Sequence, residues 1–389
     1  MLRSLLYATV ASFPFEMPAL ELRWQVPQVT SSLFLVSTLL QPGVCYRRLP
    51  GPLWAFGGFL YAFLLAVALH DPIDPMETAQ YFVLVTQALV LFWAASNLLR
   101  DGRVARGVLW AMAAGALVWG LLPMLGVGRT AETVWTGGER ITAFGQNANR
   151  ASVLVSTGIL ALFGVTRPGP GQPNRWRLLV WPFLAVMALA VIETGSRGGL
   201  LSLMAGLLVF VVFPRARTLA GFVRAILTGA VAIVALGWSA SRTEVMRHRL
   251  EATAETHTMS GREDLFPALW DMFLERPVTG WGPVNNQYEV AIRAPFADKV
   301  KRDAHNLGLE LLTATGLVGA VPCLVGLGLC AAAAWRGRRG PYGAVPLALL
   351  ATFMMANMSG NHLALKPFWL GLALAVAAGT CPPGREPGA

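Results

Sequence analysis

Charge is scarce in this chain. Asp, Glu, Lys and Arg make up 13% of its 389 residues, about half the roughly 25% of an ordinary soluble domain. With 55% hydrophobic residues and a mean hydropathy of +0.53, the deficit excludes a soluble globular protein. Cysteine is scarce too: Cys45, Cys323, Cys330 and Cys381 fall in apolar runs or on the basic side, with no paired spacing. Neither a disulfide framework nor a zinc site is expected. No His, Asp and Glu cluster has ligand spacing, so no metal and no cofactor is expected. A second long hydrophilic stretch is missing as well. Residues 1–389 therefore read as one integral membrane unit, with a loop over 239–304 inserted between spans.

What the chain does have is hydrocarbon in pieces of about 17–25 residues, the length that crosses a bilayer. These predict an all-α, polytopic helix bundle of about twelve spans, because lipid tolerates no unpaired backbone. The expected spans are 4–20, 28–44, 52–69, 79–99, 107–127, 150–166, 178–194, 198–213, 219–238, 305–333, 342–358 and 362–380. The first contains Pro14, Glu16 and Pro18. It follows Arg3 as a signal peptide would, but no small-residue cleavage pattern follows, so it reads as a weak span.

The net charge of +10 has an address. Arg47 and Arg48, Arg100, Arg103 and Arg106, Arg167, Arg175 and Arg177, Arg215 and Arg217, and Arg336, Arg338 and Arg339 all sit in short loops. That is the positive-inside pattern, with both chain ends cytoplasmic. Nucleic acid is not the expected partner; membrane lipid is. The topology leaves five polar stretches on the outer face: 70–78, 128–149, 193–199, 239–304 and 357–362.

Arg197 stands out among these residues. It lies in Thr194-Gly195-Ser196-Arg197-Gly198-Gly199 between two apolar runs, against the positive-inside bias. Its planar fork of donors suits a phosphate, and the glycines would let a ligand reach the backbone; an interfacial arginine that snorkels is the plainer reading. In the long loop, Ser260-Gly261-Arg262-Glu263 has capping-box form. Leu265, Phe266, Leu269, Trp270, Phe273 and Leu274 follow at helical spacing, with Pro267 tolerable if the helix proper begins near Asp264. Arg262 would then sit at a helix N-terminus, a natural anion site. Trp281 and Tyr288, near the turn built on Pro277, Gly280, Gly282 and Pro283, either stack on a sugar or cover the core. His305, in Asp303-Ala304-His305-Asn306, is the side chain best suited to move a proton near neutral pH; His362 is a weaker candidate. Asn147 and Asn149 start a span and are read as caps or as donors to a glycan. Ser196 and Asn306 complete the set of binding candidates.

Taken together, TGSRGG, GRE followed by MFLERPVTGWGPVNN, and DAHNLGLELLTATGLVG resemble the C-terminal signature of the O-antigen ligase and polymerase superfamily. GERITAFGQNANRASV resembles the segment that precedes it. The resemblance covers roughly residues 138–320. It implies a GT-C-like bundle in the bacterial inner membrane and an inverting, metal-independent glycosyltransferase facing the periplasm. The donor would be an undecaprenyl-diphosphate-linked glycan, and the acceptor lipid A-core or another glycan. By the same resemblance Arg197 and Arg262 grip the diphosphate and His305 activates the acceptor hydroxyl or assists at the phosphate; as departures from that pattern, Glu193 and Glu263 or Asp264 offer alternative bases. Ligation onto lipid A-core is the first expectation; repeat-unit polymerisation and protein O-glycosylation follow. A transporter would place ionisable residues at mid-membrane, where these spans have almost none.

Overall fold

The protein is described by a computed structural model over residues 1–17, 25–133, 139–166, 176–213, 218–256, 261–294 and 301–380. Each of the twelve apolar runs forms a helix. The first half contains α1 (Leu2–Ser12), α2 (Val26–Leu39), the short α3 (Pro42–Cys45), α4 (Gly51–Leu69), α5 (Pro75–Leu98) and α6 (Gly102–Met124). A hairpin of β1 (Arg129–Thr133) and β2 (Glu139–Ala143) precedes α7 (Ala148–Val165), α8 (Trp176–Glu193), α9 (Arg197–Val212) and α10 (Leu219–Arg242). The long loop holds α11 (Glu244–Thr256), α12 (Arg262–Glu275) and α13 (Asn285–Arg293), and the chain returns through α14 (Leu307–Gly337), α15 (Val345–Asn357) and α16 (Lys366–Gly379). Among the described residues, α4, α5, α6, α7, α10 and α14 are long and apolar enough to cross a membrane; α2, most of α8, α9, α15 and α16 are shorter apolar helices. The protein is an all-α, multi-pass membrane bundle.

Packing follows from what lipid allows. Apolar surface drives no association between helices in hydrocarbon, so close contact relies on small residues and shape. A Cβ on Gly199 of α9 would overlap the Ser152 hydroxyl of α7, and one on Gly158 of α7 would overlap Ala116 of α6. Buried rings fill the centre: Phe56 meets Trp369 edge-on at 4.8 Å and Phe92 at 5.6 Å.

One span is not continuous. The sequence reads 305–333 as a single run, but Gly316 has φ 59° and ψ −162° and breaks α14 there. The amides of Trp281 and Gly282 donate to the carbonyls of Thr313 and Ala314, at 2.7 and 3.0 Å. Leu317 and Val318 in turn donate to Pro277 and Val278, at 2.8 and 3.2 Å. The broken backbone is thus paired by the 277–282 turn, the condition under which irregular chain survives in a membrane protein. Residues 317–337 alone extend about 30 Å at 1.5 Å per residue, a full hydrocarbon thickness.

The two ends of the bundle differ. At one, Arg3 pairs with Asp101 at 2.8 Å, Asn97 brackets the Arg48 backbone, and Tyr342 donates to the Leu99 carbonyl. These contacts gather the basic loops that the structure describes. At the other end all five polar stretches meet. Asn285 donates to the Asp71 carbonyl at 2.9 Å, Lys301 pairs with Glu77, Arg140 reaches Thr194, and Arg262 reaches Ser359.

Candidate active site

An open cleft of about 520 Å³ lies at this polar end, lined by Asn147, Asn149, Gly198, Gly199, Asp303, His305, Ser359 and His362 among others. First turns of α7 and α9, the N-cap of α16 and the approach to α14 all contribute. Helix N-termini carry partial positive charge, so their convergence favours an anionic ligand.

Much of the polar inventory holds the frame. The Asn147 side chain accepts from the amides of Asn149 and Arg150 at 3.0 and 3.2 Å, capping α7. Ser196 is buried; its hydroxyl accepts from the Gly199 amide at 3.0 Å and donates to Asn149 Oδ1 at 2.8 Å. Asn306 caps α14 through the Leu309 amide at 3.1 Å. A Cβ on Gly198 or Gly199 would meet Ser359 or Ser152, and both glycines also line the cleft. Ser260 lies outside the described residues. α12 starts after Gly261, which has φ 81°, so Pro267 falls in the second turn, deeper than expected. Trp281 is committed as well: Arg276 and Arg293 lie over its ring at 3.9 and 4.6 Å, and its indole donates to the Met272 carbonyl at 2.8 Å. It covers the core. His70 sits 3.2 Å from the Arg276 guanidinium.

The two arginines singled out from sequence stand beside the cleft, each next to a lining residue, and do not line it themselves. Arg197 precedes Gly198 and donates to Thr253 and, at 3.3 Å, to the Arg249 carbonyl. Arg262 is the first residue of α12 and donates to the carbonyl of cleft residue Ser359 at 3.0 Å, while its Nε is buried without a partner. Sequence reasoning passed over two more, Arg140 on β2 and Arg249 on α11. Arg140 donates to the Thr194 carbonyl at 2.9 Å and to Asn149 Oδ1 at 3.0 Å. The four act on one another. Burial and then Arg140, Arg197 and Arg262 push the Arg249 guanidinium down to about 10, against Glu132. Arg262 is lowered by burial and by Arg197, against Glu263.

His305 shows an open face to the cleft on a backbone at φ 49°, a left-handed conformation costing a β-carbon residue about 1–3 kcal/mol. The Asp303 carboxylate holds it by accepting the His305 amide at 3.2 Å. Surrounding protein lowers the imidazole pKa; Asp303 opposes that, and Arg262 and Arg302 add to it. The ring is therefore neutral near pH 7. Across the cleft, His362 Nδ1 lies 3.1 Å from Asn357 Oδ1, and burial with Arg150 pushes it down to about 4. The alternative bases Glu193, Glu263 and Asp264 do not line the cleft. Among the described residues no group of three His, Cys, Asp or Glu could hold a metal.

Fold and site define a polytopic membrane protein with a polar cleft at one end and buried arginines beside it. Residues 182–324 match the family model described as O-antigen ligase. The matched stretch carries Arg197, Arg249, Arg262 and His305; Arg140, Asn149 and His362 lie outside it and reach the cleft through the fold. No curated protein matches the chain. One solved structure, reported under "Structural coordination of polymerization and crosslinking by a peptidoglycan synthase complex", is similar with a TM-score of 0.45 and 16% identity, over 85% of this chain and 96% of that one.

Proposed function

We propose that this protein is an O-antigen ligase that moves a glycan from undecaprenyl diphosphate to lipid A-core, on the periplasmic side of the bacterial inner membrane. The observation that carries this reading is the flanking of one cleft by Arg197 and Arg262, with neutral His305 inside it. A neutral His305 nitrogen takes the proton from an acceptor hydroxyl, and the hydroxyl oxygen attacks the anomeric carbon. The bond from that carbon to the diphosphate oxygen breaks, inverting the centre, and undecaprenyl diphosphate leaves with the electron pair. Charge grows on the leaving oxygens, and fixed guanidinium donors stabilise it there without reorganisation. That role replaces a divalent cation. Asn147 and Asn149 line the donor or acceptor path, and Ser196 and Asn306 brace the turns that carry Arg197 and His305. The basic loops at the far end of the bundle support a cytoplasmic placement of that end, which leaves the cleft outside.

The test is reconstitution of purified protein in liposomes with an undecaprenyl-diphosphate-linked glycan. Ligation predicts glycan on added lipid A-core. Product that forms from donor alone, as chains of repeat units, moves the assignment to a polymerase. Glycan on neither acceptor overturns the reading.

A further inference from the structure

The four clustered arginines are not equivalent. Arg140 spends its guanidinium on the Thr194 carbonyl and Asn149. Arg197 is held by Thr253 and the Arg249 carbonyl, and Arg262 by the Ser359 carbonyl. Arg249 differs. Its Nε is buried without a partner, and among the described residues its guanidinium has no hydrogen bond or ion pair. Three neighbouring arginines repel it, and Glu132 is the carboxylate that opposes them. A half-buried cation with like-charged neighbours and a buried, unpaired Nε is costly. Its helix nevertheless turns it inward: on α11, Arg247 and His248 face solvent or half-face it with Glu244 and Glu251 close by, whereas Val245 and Met246 are buried. Backbone contact fixes the place as well, because Arg197 donates to the carbonyl of Arg249 itself.

We infer that Arg249 is a third diphosphate-binding residue, whose unpaired donors close on the lipid carrier's phosphate oxygens beside Arg197 and Arg262. The inference rests on the transfer reading for its ligand and adds a group outside the two arginines that reading uses. Two guanidiniums match the charge of a diphosphate diester; a third makes the empty site over-positive and gives the leaving group a net positive surround. A residue kept for structure should weaken the fold when removed. Arg249 should do the opposite, since its removal relieves repulsion among Arg140, Arg197 and Arg262.

The experiment compares wild type, Arg249→Met, Arg249→Lys and, as a control on the same helix, Arg247→Met, all full length in detergent micelles. Two quantities are read: the thermal midpoint without ligand, and the Kd for undecaprenyl diphosphate. Arg249→Met should melt at or above the wild-type temperature and bind about 10- to 100-fold more weakly, the span of one charge-assisted phosphate contact. Arg249→Lys should fall between, because a point charge lacks the fork, and Arg247→Met should bind within about twofold of wild type, as exposed ion pairs contribute little. Wild-type affinity in Arg249→Met, or a lowered midpoint or failure to fold in that variant, overturns the inference. If wild type itself does not bind the probe, the transfer reading fails first; normal wild-type binding with an unaffected Arg249→Met removes only the role of Arg249.

Discussion

Replacing Arg262 by Ala separates the chemistry of the site from its stability. Among the described residues Arg262 makes one hydrogen bond, to the Ser359 carbonyl at 3.0 Å. Losing it costs about 1 kcal/mol, the net value of such a bond. Relief of the repulsion from Arg197 that lowers the Arg262 pKa acts in the other direction. The folded state should therefore change little, with a thermal midpoint within a few degrees of wild type. Transfer should change greatly. A fixed donor aimed at developing charge is worth about 10²–10³ in rate, so the rate should drop by about that factor, with Arg262→Lys recovering part of it. The assay is initial-rate glycan transfer in liposomes, read beside a melting curve of the same preparation. A rate within about threefold of wild type refutes the reasoning, and so does a large loss that tracks an equally large loss of fold.

Three more outcomes follow from the geometry. His305 has its pKa lowered by burial, Arg262 and Arg302, so the base form is regained on the way up in pH sooner than for free imidazole. The acid limb of kcat/KM should be centred below about 6.5 and disappear in His305→Gln along with about 10²–10⁴ of rate; a midpoint above 6.5 contradicts this. Gly199→Ala sets a methyl against the Ser152 hydroxyl and should cost about 1–3 kcal/mol of stability, read as a lowered melting midpoint that Ser152→Gly partly restores; no restoration means the contact is not the cause. Transfer in EDTA should equal transfer in Mg²⁺, because guanidinium groups carry the charge; loss of turnover on chelation assigns that task to a metal.

The helices were legible because hydropathy is a local property and lipid leaves a span no alternative to helix. All twelve apolar runs appear as helices, most within a few residues of their expected limits, but the first ends at Ser12 where the sequence ran it to residue 20. Arg197 and Arg262 stood out for local reasons, one as a charge between two apolar runs and the other within a capping-box pattern, and the fold sets both beside the cleft that His305 lines. Arg140 and Arg249 did not stand out. Each lies in polar sequence, GGERITA and RHRLEAT, where an arginine is ordinary, and only the approach of α11 and the hairpin to the Gly195 turn shows that they share one space. The break at Gly316 was hidden for a related reason: glycine is common here, 40 residues, and what selects this one is pairing with Pro277 and Val278 far along the chain. Ser196 and Asn306 illustrate the converse. Their residue types suit both a ligand and a helix cap, and their hydrogen bonds in the fold are those of caps.

The proposed placement of the cleft outside the cytosol underlies the transfer reading, and site-directed labelling tests it most directly. Asp271 is exposed on α12, the helix that begins with Arg262. In a background with serine in place of the four native cysteines, Asp271→Cys should react with a membrane-impermeant maleimide in intact spheroplasts. Reaction only after the membrane is permeabilised would put the arginine cluster on the cytosolic side and contradict the account.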